Sequence, residues 1–239
     1  MRIPIAISIV LLLGSANSFA QAGQQNWATA SGINEALSIF DKDGRPFTNP
    51  DEDVSGTPFF LPEWKYGALR LHDSVGYDHV RMRLNLQTQQ VHFLNKNNLE
   101  MALPKGFIIG LILRDSSASG GPSAYTFQCG FPPIDNQDRN NFYRVLVSGR
   151  LALLESIRKV MSTEKNELSG EEKKNIRDYT DYYIFSDGVM KRMKKDKASV
   201  LALMVDKKDK VEAYATSGKL NFKSIDDIGQ IIAYYNGLP

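Results

Sequence analysis

The chain predicts an α+β fold: a mainly antiparallel β meander or half-barrel sheet with C-terminal helices. Three observations carry this. Val80, Met82, Leu84 and Leu86 alternate with His79, Arg81, Arg83 and Asn85, the period-two pattern of a strand with one wet and one dry face. Short apolar runs with turn residues between them fill Ala68 to Leu113. Near the C-terminus the period changes: Ile225, Ile228, Ile231, Ile232 and Tyr235 recur at helical spacing, one face of an amphipathic helix.

Met1–Ala20 reads as a cleaved signal peptide. Arg2 precedes an apolar run from Ile3 to Leu13, and Ser18 and Ala20 stand at −3 and −1 of a cut before Gln21. That layout is the usual one for secretion, and the run is shorter than the about 20 apolar residues a spanning helix needs. The organisation expected is therefore a signal peptide over 1–20, an N-terminal extension with an acidic loop over 21–58, and a single β-rich domain over 59–239. The helical part of that domain covers 197–239.

Ser31–Phe40 suggests a short helix with Ser31 as its N-cap. Asp41–Pro58 reads as loop, rich in Gly, Pro and acids. Strands are expected at Ala68–His72, His79–Leu86, Val91–Leu94, Leu99–Leu103 and Phe107–Leu113. The turns between them carry Asp73–Gly76, Asn95–Asn98 and Pro104–Gly106, residues suited to tight reversals. A strand at Tyr125–Cys129 follows a small-residue loop. Two hairpins are expected, Phe142–Leu154 turning at Ser148–Gly149 and Tyr182–Met193 turning at Asp187–Gly188. They match at an offset of 39 residues, which pairs Tyr143 with Tyr182 and Gly149 with Gly188. One such pair is equally what two hairpins of one sheet would show. Between them, the polar Ile157–Thr180 is expected to be partly helical, with Ser169 capping a turn. Helices are expected at Ala198–Val205, Lys207–Thr216 and Ser224–Tyr235, the last opened by a capping-box-like pair, Ser224 with Asp227.

Composition narrows the function classes. The chain has 239 residues, 42% hydrophobic, with a formal charge of +2. That suits a globular body and gives no global reason to expect nucleic acid. No stretch after the leader is long enough to span a bilayer as a helix. Cys129 is the only cysteine, so no internal disulfide forms. It reads as a buried small hydrophobe, with a free thiol or an intermolecular bridge as alternatives.

No chemical motif selects a catalytic residue, a metal ligand or a cofactor, and none of the three is assigned. The acidic residues Asp41, Asp43, Asp51, Glu52 and Asp53 surround a glycine at the wrong position for an EF-hand. His72, His79 and His92 lack metal-ligand spacing and read as isolated residues on wet strand faces. There is no G-x-S-x-G elbow and no peptidase context around Cys129. Ser119-Gly120-Gly121 lacks the remainder of a phosphate loop. Lys191–Lys197 holds five basic residues and reads as a solvated arm, with an anionic partner as the alternative. From Arg158 to Lys223 there are 16 basic and 11 acidic residues, so the basic excess lies before the last helix. Phe59, Phe60, Trp64 and Tyr66 form either the core edge where the sheet begins or an exposed platform for sugars or an apolar ligand.

Two stretches and the chain end carry a resemblance. Gly56-Thr57-Pro58-Phe59-Phe60, Glu63-Trp64-Lys65, and the strand from Val80 to Leu86 make the first. Phe142-Tyr143-Arg144-Val145-Leu146 with Gly149 make the second, and Ile231-Ile232-Ala233-Tyr234-Tyr235-Asn236 ends the chain. These resemble uncharacterised exported proteins of the Bacteroidetes group. The resemblance implies a periplasmic or secreted location and brings no activity. The function expected is a cell-envelope module, non-enzymatic, that binds a ligand or a partner. The alternatives are a carrier of lipid or another apolar ligand in a curved sheet, and an envelope hydrolase acting on glycan or peptide.

Overall fold

The computed structural model describes residues 29–30, 54–72, 75–117, 121, 123–165 and 172–239. The expected signal peptide, the Ser31–Phe40 helix, the acidic cluster Asp41–Asp53 and Ser169 lie outside the described residues.

The strands are β1 (Thr29–Ala30), β2 (Val54–Ser55), β3 (Lys65–Leu71), β4 (Gly76–Asn85), β5 (Gln90–Leu94), β6 (Glu100–Ala102), β7 (Ile108–Asp115), β8 (Ser123–Gln128), β9 (Tyr143–Val147), β10 (Ala152–Lys165), β11 (Glu172–Ser186) and β12 (Val189–Arg192). They form one sheet in the order β12-β11-β10-β9-β8-β7-β3-β4-β5-β6. All neighbours on that path are antiparallel. β1 and β2 add parallel pairings, to β4 and β11. The fold is thus sheet-dominated and mostly antiparallel, with helices at the C-terminal end. The sheet grows in both directions from the seam between β3 and β7.

β4 shows why these residues make strands. Val80, Met82 and Leu84 are buried, while His79 and Arg81 are exposed, as the alternation requires. At the seam the backbones close up on Gly67. A Cβ there would lie 2.0 Å from the Ile112 carbonyl oxygen and 2.5 Å from Met82 Cε.

Two expectations are corrected. Ile157–Thr180 is not helical where it is described: β10 continues to Lys165, and β11 begins at Glu172 and pairs with it throughout. The polar composition conceals a ladder of cross-strand pairs. Lys159 faces Asp178 at 3.0 Å, Arg158 meets Asp181 at 3.2 Å across the ladder, and Met161 stands opposite Ile176. Opposite charges on neighbouring strands stabilise a sheet without an apolar alternation. The loop expected over Asp41–Pro58 also yields to a strand at Val54–Ser55, against Lys174–Asn175. Past that strand, Phe60 donates to the Leu84 carbonyl and Leu86 donates to that of Pro58, so residues 54–60 lead from β11 to β4.

The hairpin turns fall where expected, with Gly149 and Gly188 both at positive φ. The offset of 39 residues puts residues on opposite faces, however. Tyr143 packs edge-on against Tyr183, not Tyr182, with centroids 5.6 Å apart. The hairpins are neighbours in one sheet.

The helices are α1 (Lys197–Ala202), α2 (Lys208–Ser217) and α3 (Ile225–Asn236), with a 3-10 turn at Val205–Lys207. Asp196 caps α1 by accepting from the Ser199 amide at 2.8 Å. Ser224 caps α3 by accepting from the Asp227 amide. The return bond of a full capping box is absent: Asp227 Oδ2 accepts from the Asn221 amide instead. Ile228, Ile231, Ile232 and Tyr235 are buried on the inner face of α3.

Residues directly opposite on paired strands share a face. Phe127, Arg144, Glu155 and Tyr182 therefore form one row across β8–β11. On that face, one core lies under β3–β8, around Met82, Leu84, Phe93 and Leu111. A second joins Leu153 and Ile184 to the helices. On the other face, Tyr143, Leu154 and Tyr183 pack under the 130–141 loop through Phe131 and Ile134. One sheet thus carries both the β core and the helical part.

Candidate functional site

The helices leave an apolar groove of about 770 Å³ where α3 crosses β9. Its floor is Leu146 and Val147, half-buried on β9. One wall is a flank of α3, from Ile225 through Gly229 to Ala233. The other end is closed by Leu238 and by Tyr214 and Tyr234, whose rings stack 4.0 Å apart and 4° from parallel. Asp226 and Gln230 are its polar side chains besides the phenols.

Local sequence explains the opening. Gly229 sits in mid-helix, where glycine is otherwise unfavourable. A Cβ there would make ordinary contacts, 3.6 Å from Val147 Cγ2 and 3.9 Å from Leu153 Cδ2. Any larger side chain at this position would project into the groove. The chain ends its last helix at Gly237, and Asn236 ties that end to the β9–β10 turn: Leu151 N donates to Asn236 Oδ1 at 3.0 Å, and Asn236 Nδ2 donates to the Leu151 carbonyl at 2.9 Å.

Between the groove face and the β core runs the polar row. Arg144 Nε approaches Glu155 Oε2 at 2.6 Å, an ion-pair contact rather than an aligned hydrogen bond. Burial and the neighbouring Glu155 carboxylate hold the Tyr182 phenol above its ordinary range. This pair is boxed in by carbon: Phe60, Tyr125 and Phe127 meet edge-to-face with centroids about 5 Å apart, and Arg144 lies about 6 Å from the first two.

No family model matches this chain, and no curated protein or solved structure matches it.

The residues singled out from sequence do not converge. His72 and His79 are exposed, but His92 is buried, which corrects the wet-face reading. Its Nδ1 lies 2.6 Å from Glu100 Oε1, which also accepts from Arg83 at 2.8 Å. The reason is that β5 is covered on both faces, with Phe59 edge-on to His92 at 5.2 Å. Among the described residues no His, Cys, Asp and Glu cluster with metal-binding geometry occurs. Cys129 is half-buried and shares its face with Tyr125 and Phe127, all three against the β core. Its thiol donates to the Ile108 carbonyl at 3.0 Å, and burial pushes its pKa up to about 11.

The aromatic cluster divides. Phe59 is buried, Phe60 packs on the core, Trp64 stacks on Arg83, and Tyr66 is exposed. The basic run is partly neutralised: Arg192 pairs with Asp181, Lys197 meets Glu212 at 2.6 Å, and Lys195 lies 5.3 Å from the Tyr182 ring centre. On the far face, Tyr183 donates to Asp135 at 2.7 Å and accepts from Gln137, which in turn accepts from Ser156. That network fastens the 130–141 loop to the sheet.

Sequence reading missed the groove. Leu146, Val147, Tyr214 and Tyr234 are far apart in the chain, and nothing in their spacing brings them together. Gly229 inside an otherwise strong helical pattern was the available signal.

Proposed function

We propose that this is an exported, non-enzymatic binding module of the cell envelope that holds an apolar ligand in the groove between α3 and β9. The observation that carries the reading is the groove's size and lining. About 770 Å³ of open space bounded by aliphatic and aromatic carbon, with two polar side chains at hand, has the character of a small-molecule site. Nothing in its lining pairs a nucleophile with a base, so binding is favoured over turnover. The carrier alternative is compatible with the same groove. Met82, Leu84, Phe93 and Leu103 are buried together on the face of the β core, which favours the helix–sheet junction for such a ligand. Export rests on the Met1–Ala20 pattern, and a periplasmic or secreted location rests on that pattern and on the resemblance.

The test is native mass spectrometry of the mature chain, with titration of N-phenyl-1-naphthylamine, an apolar fluorophore. Saturable binding that Gly229→Phe abolishes and Lys191→Glu leaves intact is expected. Binding unaffected by Gly229→Phe, in a protein that still folds, would remove the groove from consideration.

A further inference from the structure

β10 has unequal neighbours. β11 lies beside it along its whole length, from Ala152 to Lys165. β9 pairs with it only as far as Glu155. Among the described residues no strand covers that edge of β10 from Ser156 to Lys165. The two ends of the sheet are short, with four residues in β12 and three in β6, a common way to blunt an edge. The long open edge lies in mid-sheet, and Val160 is exposed along it.

We propose that this edge pairs with the same edge of a second copy of the chain, antiparallel, about a two-fold axis through Met161. The reason is self-complementarity. With Met161 opposite its own symmetry mate, Arg158 stands opposite the second copy's Glu164, and Glu164 opposite the second copy's Arg158. Directly opposite residues share a face, so both pairs are in reach. Val160 and Met161 lie at the centre, with the charges outside them. Opposite residues on antiparallel strands either both bond across the shared edge or both point away from it, so the register of an edge against its own copy shifts only in steps of two places. A step toward Lys165 sets Lys159 against Lys165 and loses both ion pairs. Sliding it the other way loses both ion pairs. One register is therefore preferred, and it is isologous, as a dimer with closed symmetry requires.

Charged residues on an edge are also a device against pairing. A protective edge, however, gains nothing from opposite charges placed symmetrically about one residue. Within the chain, Arg158 meets Asp181 at 3.2 Å and Glu164 meets Arg177. All four are at least partly solvent-exposed, so Arg158 and Glu164 keep capacity for a second partner. The contact is modest. Ile157 to Lys165 is nine residues of strand, fewer than the about 20–30 residues a side of a standard stable interface. Association in the micromolar range is expected.

Sedimentation velocity of the mature protein across the micromolar range should show a monomer–dimer equilibrium. Glu164→Arg sets guanidinium groups opposite each other and should weaken it at least tenfold. Adding Arg158→Glu should restore it, although inside one chain the double change places like charges against Asp181 and Arg177. In a Cys129→Ser background, Met161→Cys should cross-link rapidly in a glutathione redox buffer, because residues opposite on antiparallel strands lie within disulfide range. Thr163→Cys, opposite Lys159, should cross-link much more slowly. Far-UV circular dichroism checks that each variant folds. A monomer at every concentration, a dimer indifferent to Glu164→Arg, or equal cross-linking at 161 and 163 would each overturn the proposal.

Discussion

The Arg83 guanidinium donates to the Glu100 carboxylate at 2.8 Å while the Phe59 and Trp64 ring centres lie 3.8 Å and 4.1 Å from its central carbon. Sequence places Arg83 on the wet face of β4. His79 and Arg81 on that face are exposed, but at Arg83 it is packed, and an aromatic pair and a carboxylate replace water. Removing one member leaves the other charge poorly solvated. Glu100→Gln is expected to cost about 1–3 kcal/mol. A double-mutant cycle with Arg83→Met, read by urea denaturation, should show clear coupling. Additive effects would mean that the pair is merely adjacent.

Acid stability should depend on two carboxylates. Burial pushes the Glu100 pKa up, but hydrogen bonds from His92 and Arg83 outweigh it and hold it below the ordinary value. Asp115 is lowered to about 2 by hydrogen bonds from Lys65, at 2.8 Å, and from the Ser117 hydroxyl and amide. A carboxylate depressed in the folded state contributes stability that is complete above its unfolded value and is lost as the pH falls through its folded one. The Asp115 contribution should therefore be present above pH 4 and fade between pH 4 and about 2. Asp115→Asn should flatten urea midpoints over that interval. An unchanged pH profile would show that the Lys65 contact does not persist in solution.

Gly67 should not tolerate a methyl group. The Ile112 carbonyl oxygen stands 2.0 Å from the position of its Cβ, and backbone cannot swing aside as a side chain can. Gly67→Ala must separate β3 from β7 at the seam of the sheet, at an expected cost of about 2–4 kcal/mol. Gly229→Ala is the contrasting case, since its Cβ would make ordinary contacts with Val147 and Leu153. It should raise stability by about 0.5–1 kcal/mol through helix propensity. Thermal melts of the two variants should move in opposite directions.

Cys129 should react sluggishly. Its pKa near 11 leaves little thiolate at neutral pH, and the thiolate is the nucleophile. Ellman's reagent should label the native protein slowly and the urea-unfolded protein fast. Rapid labelling of the native state would show that the 129–130 region opens readily.

Sequence by itself determined the element types and most of their limits, because these depend on local periods and turn residues. The alternation of β4, the hairpin turns at Gly149 and Gly188, and the Ser224 cap on α3 were all legible. Where local signals were absent, tertiary structure decided. Ile157–Thr180 has no apolar alternation, so only the facing charges of the partner strand reveal that it is β10 and β11. His92 sits on a face that is dry because Phe59, 33 positions earlier, lies edge-on against it. The groove likewise gathers β9, α2 and the flank of α3 at once. A period of two or 3.6 residues states which face of an element is apolar. It does not state which distant element covers that face, and that choice made both the half-buried Arg83–Glu100 pair and the open groove.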